Sequence, residues 1–118
     1  MSDDKLKKAI QELKNEKDVK SALVVSRSGV FVEGDLLDKT DIDTFSAMAA
    51  IILGASETIT SEFDETVNHT LIDLEETQLL VMPLGKKCAL VLIIKKSSTL
   101  DDVLKVAATC CEKIKEII

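Results

Sequence analysis

Tryptophan and tyrosine are missing from this 118-residue chain, and phenylalanine occurs only three times. Proteins that hold single-stranded nucleic acid stack bases on aromatic rings, and this composition offers no such platform. Histidine occurs once, as His69, and cysteine three times, at 88, 110 and 111. An odd, irregularly spaced set of cysteines is no disulfide framework. A bridge between the adjacent Cys110 and Cys111 would be strained. A metal site needs more ligands than these residues supply. The cysteines therefore read as reduced and structural, and no metal or cofactor is expected.

Catalytic signatures are missing too. The GKK at 85–87 lacks the upstream glycine and the following Ser or Thr that hold phosphate and magnesium. Neither GxGxxG nor HExxH occurs. His69 has no obvious nucleophile partner. The acid pairs Asp64-Glu65 and Glu75-Glu76 sit in loop-like positions, where solvation explains them better than catalysis. The chain reads as non-enzymatic.

The apolar run Cys88–Ile94 is about a third of a membrane span, which needs roughly 20 residues. The opening MSDDKLKKAIQELK alternates charges and lacks the apolar core of a secretory signal. A cytoplasmic protein without direct membrane insertion is expected.

Hydrophobic residues make up 46% of the chain, enough for a folded core, and the length suits a single domain over 1–118. Charge is uneven. Residues 28–82 hold twelve acids against one base, Lys39. That segment carries −11 against a net −6 for the whole chain, so the remainder is +5. An acidic middle disfavours nucleic acid. It suits a basic protein surface, although solubility is the plainer account.

The most informative segment is IDTFSAMAAIILGASETITSEF, residues 42–63. Its pattern is helical, yet no charge occurs between Ala47 and Ala55, so it lacks the polar face of a surface helix. At about 100° per residue, Phe45, Met48, Ile52, Ile59 and Phe63 gather on one side with Ile42 at the margin, and they read as core. Ser46, Ala47, Ala50 and Gly54 form a small-residue stripe roughly opposite. Covering both sides calls for a second molecule. The alternative is a central helix wrapped by its own chain.

Around that helix the elements follow in order. Ser2 can cap a first helix built on Leu6, Ile10 and Leu13, ending near Asp18. Residues 21–26 and 30–34 flank RSG and read as a hairpin with Gly29 in the turn, the second strand at an edge. Thr40 or Asp41 can cap the central helix. Residues 67–74 make a polar strand suited to an edge or an interface. Residues 77–82 make a fourth strand, closed by Pro83. CALVLII is apolar throughout and belongs at the sheet centre with helices on both faces. Thr99 and Asp102 resemble a capping box for a last helix. That helix carries Leu100, Val103, Leu104, Ala107, Cys111, Ile114 and Ile118 on one side. The order α-β-β-α-β-β-β-α describes one α+β sandwich.

This order, with ALVVSRSGVFVEGD at 22–35, FSAMAAIILGASETI at 45–59 and LLVMPLGKKCALVLII at 79–94, resembles the roadblock/LC7 (dynein light chain, MglB-like) domain over nearly the whole chain. The resemblance implies a five-stranded antiparallel sheet of profilin-like type, with the outer helices on one face and the central helix on the other. It implies a homodimer in which central helices pack together and third strands join the sheets. Together with the small-residue stripe, this puts the dimer interface at Ser46, Ala47, Ala50, Ile51, Gly54, Val67, His69 and Leu71. Members of the family commonly bind Ras-like small GTPases, and some bind dynein; no shared catalytic residues exist to carry over. The polar third strand departs from the family pattern.

The expected function is that of a homodimeric adaptor or regulator of a small Ras-like GTPase. Asp41, Asp43, Glu57 and Glu62 would form the acidic rim of the partner surface. A scaffold subunit of a larger motor or signalling assembly is the alternative. A small-ligand sensor fits the apolar fill less well.

Overall fold

The computed structural model describes residues 2–36, 40–96 and 100–118. Helix α1 (Ser2–Lys14) leads into strands β1 (Val19–Ser26) and β2 (Phe31–Asp35). Helix α2 (Ile42–Ile59) and a short 3-10 turn (Ser61–Phe63) follow. Then come β3 (Thr70–Asp73), β4 (Thr77–Leu84), β5 (Cys88–Lys95) and α3 (Leu100–Ile117). The strands form one antiparallel sheet in the order β2-β1-β5-β4-β3.

Alternation along the strands builds two cores. Ala22 and Val24 of β1 join Leu90, Leu92 and Ile94 of β5 under α1 and α3. Leu23 and Val25 join Ala89 and Val91 beneath α2. With side chains buried on both faces, β5 must sit centrally, and it does. The expected α+β fold with helices on both faces is the observed one.

The boundaries shift for local reasons. Helix α1 stops at Lys14, not Asp18, because Asn15–Asp18 turn into β1 through Glu16 N–H to the Leu13 carbonyl (3.1 Å) and Val19 N–H to the Glu16 carbonyl (3.1 Å). Strand β4 continues through Pro83 instead of ending before it, with Pro83 opposite Ala89. Proline is tolerated in a strand with an open flank, and β3 has already ended beside Val81. Strand β3 spans 70–73, shorter than the expected 67–74.

Two glycines fix how the hairpin sits. Gly34 has φ +121, and a Cβ there would lie 2.3 Å from the Ala22 carbonyl oxygen. Gly29 has φ +93, and its Cβ would lie 3.0 Å from Ala47 Cα. Only glycine lets the hairpin tip rest on α2. The capping expected of Thr99 falls outside the described residues, as does the side chain of Ser2.

Candidate protein-interaction face

Helix α2 starts cleanly. Asp41 caps it, its side chain accepting from the backbone amides of Asp43 (3.0 Å) and Thr44 (3.3 Å) and from Thr44 Oγ1 (3.0 Å). The bonds from Thr44, then that from Asp43, hold the Asp41 carboxyl below its ordinary pKa. Asp43 in the first turn also complements the helix dipole. At the far end Thr60 Oγ1 donates to the Ser56 carbonyl (2.8 Å). Asp64 then adopts a left-handed conformation (φ 61) that ends the 3-10 turn.

The helix lies on the sheet through Ser46, Ala49, Ala50 and Leu53. Small residues let its backbone approach the strands closely, and Leu53 fills the remaining space with no exposure. The opposite face is bare. Met48, Ile51, Ile59 and the following Phe63 are exposed to 49%, 59%, 76% and 65%. Met48, Ile51, Ala55 and Ile59 recur at helical spacing along one line.

This orientation corrects the sequence reading. The helix is turned about a quarter of a revolution from the expected setting. Met48, Ile59 and Phe63, expected in the core, face outward. Ser46 and Ala50, expected at the dimer interface, are closed inside the chain's own core at 0% and 8% exposure. The physical reason is that apolar residues surround the helix, so periodicity selects no face. The sheet takes the side where the backbone can come nearest.

The other expected interface residues have mixed positions. Ala47 is half-buried beside Gly29. Ile51 is exposed, and a Cβ added to Gly54 would meet nothing within 4 Å. Val67 packs against the core beneath α2. His69 is half-buried, and Leu71 of edge strand β3 is partly exposed. Of the expected acidic rim, Asp43 and Glu62 are exposed. Asp41 is occupied as the helix cap, and Glu57 is occupied by Arg27.

Arg27 is the chain's one arginine, and sequence reasoning passed over it. It follows β1 directly and donates from Nε to the Cys88 carbonyl (3.0 Å) and from Nη2 to the Gly85 carbonyl (2.8 Å). Its Nη1 forms an ion pair with Glu57 of α2. One planar guanidinium thus ties the hairpin, the β4–β5 turn and α2 together, a task for which the single nitrogen of a lysine lacks the spread of donors. A lone arginine among fourteen lysines, placed at a turn, was the available signal.

Ser56 Oγ donates to the Ile52 carbonyl (2.9 Å) and lies 2.7 Å from Thr70 Oγ1, which joins α2 to β3. Cys88, Cys110 and Cys111 are free and buried. Burial pushes the Cys111 thiol up to about 11. No group of His, Cys, Asp and Glu among the described residues could hold a metal ion. The segment Ile42–Phe63 has the length and apolar content of a membrane span, but its inner side is committed to the sheet.

The model of the Roadblock/LC7 domain matches residues 5–94. The chain belongs to the Roadblock/LC7 family. No curated protein matches it by sequence. Among solved structures it is similar to a Roadblock/LC7 domain from Streptomyces avermitilis, at 17% identity and TM-score 0.84, over 93% of this chain and 94% of that one. An MglB in a tetrameric arrangement gives 18% identity and TM-score 0.89, over 99% and 90%. The gliding protein MglB of Thermus thermophilus gives 18% and 0.86, over the same shares. At these identities the structural likeness establishes the fold. This Roadblock/LC7 chain keeps the family architecture and leaves the outer side of α2 uncovered.

Proposed function

We propose that this protein is a non-enzymatic adaptor or regulator of a small Ras-like GTPase, working as a homodimer through the outer faces of paired α2 helices. The observation that carries the reading is the line of exposed apolar residues on α2, Met48, Ile51 and Ile59, in a member of the Roadblock/LC7 family. Contiguous apolar surface of this kind marks interaction sites. GTPase binding is what the family resemblance implies. Asp43 and Glu62 would supply the polar rim around the apolar centre and favour a basic partner surface.

The proposed site of action is the cytoplasm. A scaffold subunit without nucleotide dependence is the second reading, and the tetrameric arrangement of one MglB neighbour favours it. Affinity capture from the native cell, with GDP and with a GTP analogue, separates the two. Recovery of a small GTPase that responds to the nucleotide supports regulation. Recovery of a large complex indifferent to the nucleotide supports the scaffold reading.

A further inference from the structure

Strand β4 outruns its edge neighbour. Strand β3 ends with Thr70 opposite Val81, whereas β4 continues through Met82, Pro83 and Leu84. The chain approaching β3, residues 65–69, belongs to no strand. Its backbone makes no hydrogen bond to other described residues. Pro83 gives the reason: it has no N–H, so a strand extended past Val81 meets an interrupted ladder.

The divergence opens a groove of about 780 Å³ at the sheet edge, bordered by Glu57 and Thr60 at the end of α2 and by Leu104, Ala108 and Cys111 of α3. Met82, Leu104, Ala108 and Cys111 give it an apolar lining, and Val67 and His69 belong to the segment beside it. An apolar floor beside unpaired main chain suits an extended polypeptide. Backbone pairing then supplies affinity, and alternate side chains enter the floor. A helix would satisfy its own backbone and leave residues 65–69 unpaired.

Charge narrows the occupant. Among the lining charges Arg27 is paired with Glu57, and Lys115 with Glu112. Lys86 and Glu65 also line the groove and have no ion pair among the described residues. The complement is a segment with one acid for Lys86 and one base for Glu65.

We propose that this groove receives an extended segment of a partner polypeptide, apolar at every second position, with an acid facing Lys86 and its backbone paired to residues 65–69. The site is separate from the exposed apolar line of α2, Met48, Ile51 and Ile59. It includes Val67 and His69, which the family resemblance put at the dimer interface, so a second copy of this chain is the competing occupant.

The test selects binders of the full chain from a library of random twelve-residue peptides. Amide exchange is then measured at Val67, Asn68 and His69 with and without the selected peptide. Expected are alternating apolar sequences carrying an acid, slowed exchange at those amides, and loss of binding on N-methylation of the peptide. Ala108→Glu places a charge in the groove at an exposed position, so the fold should persist while affinity falls roughly tenfold or more. Lys86→Glu should weaken peptides that carry the acid.

Four results overturn the proposal. They are no peptide binding tighter than about 1 mM, helical binders, binding indifferent to N-methylation, and amides already protected in the unliganded protein at micromolar concentration. The last would give the segment to a second copy of this chain. None of these readouts depends on whether a GTPase is the partner.

Discussion

Arg27 and Glu57, thirty residues apart, form an ion pair that fastens the C-terminal half of α2 to the turn ends of β1 and β4. Arg27→Ala removes that pair and two hydrogen bonds to carbonyls. A loss of about 2 kcal/mol is expected, read as a lower urea midpoint. Glu57→Gln keeps a hydrogen-bonding group and should cost under about 1 kcal/mol. Equal stability of wild type and Arg27→Ala would contradict the role given to the guanidinium. Charge reversal at Glu57 is consequently a stability mutation before it is a binding mutation. Glu62 and Asp43 are the cleaner probes of the acidic rim.

The two sides of α2 should respond oppositely to the same change. Ala50→Glu buries an unpaired charge against the sheet and should unfold the protein, at a cost of several kcal/mol, roughly. Ile51→Glu lies one residue away on the open side and should leave the far-ultraviolet circular dichroism intact. Two variants with the same melting temperature would mean that the helix is seated differently.

Ser46 has no exposure, and its hydroxyl has no hydrogen-bond partner among the described residues. Removing such an oxygen is neutral or favourable, since an unmet buried polar group costs about 1–3 kcal/mol. Ser46→Ala should keep or raise the thermal midpoint. A clear drop would reveal a bond that the hydroxyl makes.

Much of this architecture was legible in the residues. CALVLII could only be a central strand, because every position needs cover. The single glycine between Ser28 and Val30 marked the hairpin, and Thr40 or Asp41 marked the start of α2, the structure choosing Asp41. The setting of α2 was not legible, because Met48, Leu53 and Ile59 surround the axis and either side could face a core. Only the close approach allowed by Ser46, Ala49 and Ala50 decides it, and that is a property of the assembled sheet. Arg27 escaped for a similar reason. Two of its partners are the carbonyls of Gly85 and Cys88, which no sequence pattern displays.

Stability should fall in alkali. Cys111 has its pKa raised from 9.0 to about 11 by burial in the folded chain. Its contribution is fully present below the unfolded value and is lost as pH rises from about 9 to about 11. Cys110 is raised in the same direction. The urea midpoint of the wild type should fall across that window, and that of Cys111→Ala should fall less. At the acid end, the hydrogen bonds that lower the Asp41 pKa are lost as pH falls below the ordinary carboxylate range, which weakens the α2 cap. Asp41→Asn should reduce that acid sensitivity.

The function proposed for this protein turns on the outer face of α2 as an interface between two copies. Light scattering after gel filtration tests it most directly, run at micromolar concentration on wild type and on Ile51→Glu. The wild type is expected at twice the 12.9 kDa chain mass, and the variant as a folded species of the single mass. A wild-type monomer, or a variant that remains a dimer, would contradict it.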